Sequence, residues 1–308
     1  MKIDIKVGYQ GMTGAYSYIA SRFLFPRAQW LGKGSFDEVY ELLVKGKIDV
    51  AVLPIENTVI GSIFEVYDLL FEHEEVAVVD ELSLRVDHNL LGVKGSSIES
   101  MNQVYSHPKA LGQCKKLFLD NPGLSPVVWE DTAAAAAYVG LKNDVSVGAI
   151  TSLTAAKEFG LEVVKTKVQS NGENYTRFVV LRQQKSNFQL SNNSVISYGH
   201  DKELFRTSLV FAAAHKPGSL LACLQPFARH GVNLTKIESR PLVGKPWQYL
   251  FYLDFEHSAD VKVEFEEIMA EIRPHTQVLR QLGTYPKGIT IGERLENNEV
   301  VIKQVGII

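Results

Sequence analysis

The chain has 308 residues, of which 45% are hydrophobic and 22% are charged, and its formal net charge at pH 7 is −3. Its length favours two domains, and its composition is typical of a globular protein. The slight negative charge argues against nucleic acid or an anionic membrane as the main partner.

Cysteine, histidine and apolar patterns restrict the setting further. The two cysteines, Cys114 and Cys223, fall in separate predicted domains, so no disulfide framework is expected. The N terminus shows neither a signal core nor a transit pattern, and no apolar run reaches the roughly 20 residues of a membrane span. The histidines lack metal-ligand spacing. We therefore expect a cytoplasmic protein without a metal.

Strands and helices alternate through the first 180 residues. The pattern predicts strands at 3–7, 48–53, 76–79, 103–106, 127–129, 145–150 and 176–181. It predicts helices at 16–25, 39–44, 61–73, 108–119, 133–139 and 153–159. Ser35 and Glu38 form a capping box before the second helix, and Pro54 is expected to end the second strand. This alternation predicts a parallel sheet with helices on both faces, and ligands bind at the carboxyl ends of such strands.

A smaller unit follows the alternating region. Residues 183–203 are polar and predict a linker. Residues 204–287 then predict strands at 207–213, 232–237, 249–255 and 278–282, with helices at 217–229 and 261–272. This βαββαβ order is the ferredoxin-like arrangement. Residues 288–308 alternate only weakly and are assigned to a C-terminal tail without a role.

The segment 174–178 is the strongest candidate for a catalytic group. Thr176, Arg177 and Phe178 precede the aliphatic run 179–181, which is typical of a buried strand. A hydroxyl and a cation need polar partners in such a place. The segment therefore predicts a small-ligand site at the end of a strand, although a solvated strand end gives the same pattern.

Three further polar clusters lie near predicted strand ends. The turn at 8–14 is rich in glycine and opens a helix, which favours an anion or a tight capped turn. Asn57 follows the second predicted strand, while Ser106 precedes and Gln113 lies within the helix at 108–119. A strand terminus and a plain N-cap explain Asn57 and Ser106 equally well. His107 has no acidic partner in the pattern and is interpreted as structural.

The smaller unit carries polar groups of its own. Gly218 opens a helix, where free amides and close backbone approach suit a small ligand. Together with Asn233, these amides could hold the carboxylate and ammonium groups of a free amino acid. Helix capping and strand-edge polarity are the alternative explanation.

Taken together, these segments resemble the signatures of prephenate dehydratases and of the ACT regulatory domain attached to them. The resemblance spans about residues 5–287 and is carried by eight segments in the order of the family: 8–17, 54–62, 106–114, 131–135, 174–178, 218–221, 233–241 and 282–286. The departures are Thr58, Lys109 and the run 219–221, where the family usually has other residues.

The resemblance implies an α/β protein with a two-lobed, periplasmic-binding-protein-like catalytic domain at 1–182 and a ferredoxin-like ACT domain at 204–287. It implies prephenate in the cleft between the lobes, feedback control by L-phenylalanine, and a dimer or dimer of dimers. No chorismate mutase segment is seen, so a monofunctional enzyme is expected. The implied catalytic residue is Thr176, with substrate contacts at Asn57, Ser106, Gln113, Arg177 and Phe178. The implied effector residues are Gly218, Ser219, Leu220, Leu221, Asn233, Glu238, Ser239, Arg240 and Pro241.

The implied reaction suits these residues. Prephenate loses carbon dioxide and hydroxide while its ring becomes aromatic, so no cofactor is needed. Thr176 can donate a hydrogen bond to the leaving hydroxide. Arg177 could hold the pyruvyl carboxylate or form an internal ion pair, and Phe178 lies on the opposite strand face. Two alternatives remain, arogenate dehydratase and a non-catalytic solute-sensing protein on the same scaffold.

Overall fold

The computed structural model describes residues 5–185, 204–258, 262–297 and 299–306, and within these residues the strands form three sheets. Most of the predicted linker, residues 186–203, lies outside the described residues. None of the helices in the described ranges is long and apolar enough to cross a bilayer.

The strands and helices are numbered here in chain order. The strands are β1 (Lys6–Gln10), β2 (Gln29–Lys33), β3 (Val50–Asn57), β4 (Gly61–Ser62), β5 (Val76–Arg85), β6 (Asn89–Gly92), β7 (Gln103–Ser106), β8 (Ser125–Val128), β9 (Val147–Thr151), β10 (Glu162–Lys165), β11 (Tyr175–Gln183), β12 (Leu204–Ala213), β13 (Leu234–Pro241), β14 (Tyr249–Ser258), β15 (Thr276–Pro286), β16 (Thr290–Glu296) and β17 (Glu299–Gln304). The helices are α1 (Tyr16–Leu24), α2 (Phe36–Val44), α3 (Phe64–Glu72), α4 (Pro108–Gln113), α5 (Lys115–Asp120), α6 (Thr132–Lys142), α7 (Leu153–Phe159), α8 (Ser219–Arg229) and α9 (Lys262–Ile272).

The first lobe is built on an eight-stranded sheet in the order β17-β16-β5-β11-β3-β1-β2, with β4 paired to β3. The sequence predicted a parallel sheet, but β11 runs antiparallel to both β3 and β5. The chain enters β11 from the second lobe without a crossover helix, so it arrives at the end of the sheet where β3 finishes. The start of β11 therefore lies beside the end of β3.

Pro54 does not end β3, contrary to the prediction. The strand continues to Asn57, and its pairing with β11 skips a residue: Glu56 faces Arg177, whereas Pro54 faces Phe178. Proline is tolerated in a strand at such an irregularity because the ladder is locally interrupted. The capping box of Ser35 and Glu38 at α2 is present as predicted.

The second lobe is built on a five-stranded sheet in the order β10-β6-β9-β7-β8. β7 runs parallel to both β8 and β9, whereas β6 is antiparallel to β9. The single helix predicted at 108–119 is two short helices, α4 and α5, which meet at Cys114. β10, a short strand with only two half-buried valines, was missed.

The ferredoxin-like unit has a four-stranded antiparallel sheet in the order β13-β14-β12-β15. Its strands and helices follow the predicted βαββαβ order. Side chains such as Phe211 and Phe255 pack on one face with Cys223 and Phe227 of α8. The other face packs directly against the first lobe, where Tyr252 donates to the backbone carbonyl of Tyr67 at 3.1 Å.

The segment predicted as a tail is an ordered hairpin. β16 and β17 pair with each other, and β16 also pairs in parallel with β5 of the first lobe. From this hairpin, the buried carboxylate of Glu293 reaches the second lobe and accepts hydrogen bonds from the backbone N–H groups of Leu153 and Thr154, at 3.2 and 2.7 Å. The hairpin thus contacts both lobes.

Candidate active site

Thr176 and Asn57 lie opposite each other, on the paired ends of β11 and β3. Both side chains are buried, with Thr176 8% exposed. Asn57 Nδ2 donates to Thr176 Oγ1 at 2.9 Å and to Asn174 Oδ1 at 2.8 Å. Oγ1 of Thr176 is therefore an acceptor in this contact, and the hydroxyl keeps its own hydrogen to donate.

The orientation of the Asn57 carboxamide follows from its backbone partners. Asn57 Oδ1 accepts from the N–H groups of Val59 and Ile60 at 2.9 and 3.0 Å. Backbone N–H groups can only donate, so the oxygen must face the turn and the NH2 group must face Thr176. The turn after β3 thus sets the direction of the hydrogen bond at the catalytic candidate.

A chain of side-chain hydrogen bonds extends from Thr176 into the second lobe. Asn174 Nδ2 donates to Gln113 Oε1 at 3.1 Å, and the same oxygen lies 2.7 Å from His88 Nε2. His88 Nδ1 in turn lies 3.1 Å from the Tyr16 hydroxyl. The predicted residues Asn57, Gln113 and Thr176 therefore meet in one network at the junction of the two lobes.

Sequence analysis missed His88 and Tyr16 as members of this network. His88 belongs to the polar triplet 87–89, which breaks the alternation of polar and apolar residues along 81–87. This break, where the chain passes from β5 to β6, is the signal that could have indicated His88. Tyr16 opens α1 after the glycine-rich turn, and its ring gives no such signal.

Among the described residues, no hydrogen bond joins the Ser106 side chain to this network. It lies at the carboxyl end of β7 and is fully buried. Its hydroxyl donates to the backbone carbonyl of Ile150 on β9 at 2.6 Å. The N-cap of α4 is His107, whose Nδ1 accepts from the N–H of Lys109, so Ser106 is not the N-cap of this helix.

Arg177 faces away from Thr176, because successive side chains alternate across a strand. Its Nη2 lies 2.6 Å from Asp254 Oδ2 of the ferredoxin-like unit and 3.1 Å from Glu56 Oε2, while Nη1 lies 3.4 Å from Glu81 Oε2. Burial alone would lower the pKa of the guanidinium, but the neighbouring carboxylates raise it well above its ordinary value. Of the two roles left open, the structure shows the internal ion pair.

Phe178 lies in the core of the first lobe. It is 1% exposed and packs among apolar residues that include Ile19, Val52 and Leu82. Its ring is on the strand face opposite Arg177, as predicted. The buried environment supports a water-excluding role behind Thr176 and gives no direct sign of substrate contact.

The predicted effector residues fall into two places. Gly218 is the N-cap of α8 with φ +80°, and Ser219 and Leu220 line a cavity of about 340 Å³. The buried Ser219 hydroxyl has no hydrogen-bond partner among the described residues. The cavity is completed by the end of β12 with the loop after it, and by the start of β14 with the loop before it: Ala213, Ala214, His215, Lys216, Pro217, Trp247, Gln248, Tyr249 and Phe251. Leu221 and Asn233 are exposed and do not line it.

The other effector candidates lie along β13, an edge strand. Ser239 and Pro241 pair with the cavity residues Phe251 and Tyr249. Glu238 and Arg240 point to the opposite face, where Glu238 accepts from Ser62 at 2.9 Å and Arg240 pairs with Asp68 of α3. Within one chain, the structure therefore does not bring Glu238 and Arg240 to the cavity.

Comparison with known proteins identifies the family to which the chain belongs. The family model described as prephenate dehydratase matches residues 7–186, more than half of the chain. The chain belongs to the prephenate dehydratase family. Arogenate dehydratase 2 of Petunia hybrida is 38% identical over 297 residues, covering 92% of this chain and 72% of that protein. The bifunctional chorismate mutase/prephenate dehydratase of Escherichia coli K12 is 32% identical over 285 residues, covering 91% of this chain and 70% of that protein.

Solved structures agree with the observed fold. The prephenate dehydratase of Arthrobacter aurescens, determined in complex with L-Phe, superposes with a TM-score of 0.77 at 23% identity, covering 91% of this chain and 89% of that chain. The quorum quenching acylase GqqA superposes with a TM-score of 0.79 at 29% identity, covering 92% and 98%. The predicted class, a two-lobed α/β protein with an added ferredoxin-like unit, is confirmed.

Proposed function

We propose that this protein is a prephenate dehydratase, which converts prephenate to phenylpyruvate with loss of carbon dioxide and water. The observation that carries the proposal is the Thr176 hydroxyl, which accepts from Asn57 at 2.9 Å in a buried place and keeps its hydrogen free. Membership of a dehydratase family favours an enzyme over a solute-sensing protein.

Thr176 would act on the leaving hydroxide. As the ring C–O bond breaks, its electron pair goes to the departing oxygen, and the electrons of the ring C–CO2 bond enter the ring. A hydrogen bond from Thr176 stabilises the charge that develops on the oxygen, and a buried donor of this kind contributes about 10²–10³-fold in rate. A threonine hydroxyl is a weak acid, so it relays or shares a proton on the way to water.

The remaining predicted residues take different parts in this proposal. Gln113 presents its carboxamide at the same junction and can donate to an oxygen of the substrate. Arg177 acts behind the strand through its ion pairs with Glu56, Glu81 and Asp254. In this proposal Arg177 does not bind the departing carboxylate. An ion pair with that carboxylate would stabilise the ground state and hinder decarboxylation.

Substitution of Thr176 tests the proposal. Thr176→Val keeps the shape but removes the donor, and we expect turnover to fall by at least about a hundredfold. Thr176→Ser keeps a hydroxyl and should retain measurable activity. Thr290→Val is the matched control, since Thr290 is also buried in the same sheet but lies on β16. A Thr176→Val enzyme with the turnover of the wild type would refute the assignment.

The substrate is decided by comparing prephenate with arogenate. The relative from Escherichia coli is named for prephenate and that from Petunia hybrida for arogenate, so both are assayed. Purified protein is incubated with each, and phenylpyruvate or phenylalanine is measured. The proposal predicts a higher kcat/KM for prephenate, and the reverse ratio would make the protein an arogenate dehydratase.

The ferredoxin-like unit is proposed to be an ACT domain that binds L-phenylalanine and lowers activity. The cavity at the start of α8 holds an unpartnered buried hydroxyl, Ser219, and the related Arthrobacter aurescens structure contains L-Phe. The edge strand β13 exposes Ile237, and α8 exposes Leu221, at 48% and 69%. Exposed apolar residues beside an unpaired strand edge suit a homo-oligomer, a dimer or dimer of dimers.

A further inference from the structure

His88 joins the two lobes at the candidate active site, although no motif of the sequence includes it. It follows β5 of the first lobe and immediately precedes β6 of the second. The residue is 3% exposed, with Nε2 at 2.7 Å from Gln113 Oε1 and Nδ1 at 3.1 Å from the Tyr16 hydroxyl. Both ring nitrogens thus have a polar neighbour within the protein.

The hydrogen bonds that lead to Gln113 have a fixed direction. The N–H groups of Val59 and Ile60 hold Asn57 Oδ1, so the Asn57 NH2 group faces its three acceptors, Asn174 Oδ1, Tyr175 O and Thr176 Oγ1, of which Asn174 Oδ1 is nearest at 2.8 Å. Asn174 then has its NH2 group left for Gln113, and it donates to Gln113 Oε1 at 3.1 Å. Two backbone amides therefore determine which atom of the Gln113 carboxamide faces the network.

The same direction determines the state of His88. Since Gln113 turns its oxygen toward the ring, His88 Nε2 must carry a hydrogen to donate. In a neutral ring Nδ1 then carries no hydrogen, and it can accept from the Tyr16 hydroxyl, which also lies 3.0 Å from the backbone carbonyl of Asp87. Burial lowers the pKa of His88 below its ordinary value, which agrees with a neutral ring.

Gln113 Oε1 thus accepts from two donors, Asn174 Nδ2 and His88 Nε2. If the carboxamide rotated by half a turn, its NH2 group would face both of these donors. Its own NH2 group has no acceptor among the described residues, and the side chain is only half-buried. We propose that His88 is a positioning residue that holds the Gln113 NH2 group toward an acceptor oxygen of the substrate. This inference rests on the proposed dehydratase function and assigns a specific part of it to His88.

Paired substitutions distinguish positioning from a merely structural role. His88→Gln keeps an NH2 group near the place of Nε2, whereas the shorter His88→Asn cannot reach Gln113. We expect His88→Asn to lower kcat/KM by about tenfold to a hundredfold, and His88→Gln to retain about a third or more of it. In a Gln113→Ala background, His88→Asn should lower kcat/KM by less than about twofold, because the side chain through which His88 acts on the substrate is absent.

A measurement on the wild-type protein tests the same geometry without turnover. Nitrogen-15 NMR of the His88 ring should show a neutral imidazole with its hydrogen on Nε2 at pH 7. A ring with its hydrogen on Nδ1 would overturn the proposal even if every variant failed to fold. Equal losses from His88→Asn with and without Gln113 would overturn it too, because they would show that His88 does not act through Gln113.

The two proposals fail in different ways. If the wild-type protein converted neither prephenate nor arogenate, the proposed function would be refuted, while the NMR result would still decide the His88–Gln113 geometry. If the wild type were active but His88→Asn matched it, only the positioning role would be refuted.

Discussion

Replacing Asp254 with asparagine should destabilise the interface between the ferredoxin-like unit and the first lobe. Asp254 Oδ2 lies 2.6 Å from Arg177 Nη2, and the two side chains are only 5% and 10% exposed. Its other oxygen accepts from Ser208 at 2.6 Å. An asparagine that keeps the Ser208 contact turns its NH2 group toward the guanidinium, so the attraction is lost and two donors meet.

The magnitude follows from the burial of the pair. Removing one partner of a buried ion pair costs about 3–5 kcal/mol, because the other charge is left without compensation. Arg177 retains Glu56 and Glu81 at 3.1 and 3.4 Å, so we expect a loss of about 3 kcal/mol, at the lower end of this range. Asp68→Asn is the matched control, since its pair with Arg240 bridges the same interface but is about one-third exposed; it should cost less than about 1 kcal/mol.

The assay is urea unfolding followed by tryptophan fluorescence, repeated across pH. Burial would raise the pKa of Asp254, but the charge of Arg177 and the Ser208 hydrogen bond lower it below its ordinary value. Because the pKa of Asp254 is lower in the folded protein, its carboxylate stabilises the fold at pH values above the unfolded pKa of about 3.9. This stabilisation is lost as the pH falls through the folded pKa. The difference between wild type and Asp254→Asn should therefore shrink below about pH 4. If Arg177→Met and Asp254→Asn left stability unchanged and instead raised KM, Arg177 would be a substrate ligand and this reasoning would be wrong.

Two further predictions concern the hairpin and the effector cavity. Glu293→Ala should lower the free energy of unfolding by about 1–3 kcal/mol, because the first-turn amides of α7 lose their buried acceptor; chemical denaturation checks it, and an unchanged midpoint would contradict it. Ser219→Ala should leave stability equal or slightly higher, since it removes an unpartnered buried hydroxyl, yet weaken L-phenylalanine binding by about twofold to tenfold in calorimetry. Unchanged affinity would place the effector elsewhere.

The sequence predicted the elements of the fold better than their directions. Local patterns located most strands and helices, because burial and capping signals such as Ser35 with Glu38 act over a few residues. The direction of β11 was wrong because it depends on how the chain returns from the second lobe. The extent of β3 was wrong because a bulge against β11 accommodates Pro54, and that pairing is not local.

In the candidate site, too, local features could be predicted from the sequence and non-local contacts could not. Asn57, Gln113 and Thr176 were predicted through the family resemblance, and the structure brings their side chains together. The partner of Arg177 could not be predicted, since Asp254 lies 77 residues away in another unit. Alternation along the strand already indicated that Arg177 and Phe178 face opposite sides, but it cannot say which side holds the substrate.

The hairpin of β16 and β17 determines when the first lobe is completed during synthesis and how the protein can be truncated. Because these last strands belong to the eight-stranded sheet, the ferredoxin-like unit is an insertion within the first lobe in terms of chain order. During synthesis the edge of β5 that pairs with β16 has no partner strand until β16 has been made, so the first lobe is completed after the ferredoxin-like unit has been synthesised. Truncation at any point between β11 and β16 removes part of this sheet together with Glu293. The two lobes without the ferredoxin-like unit therefore have to be produced by internal excision, with the end of β11 joined to the hairpin.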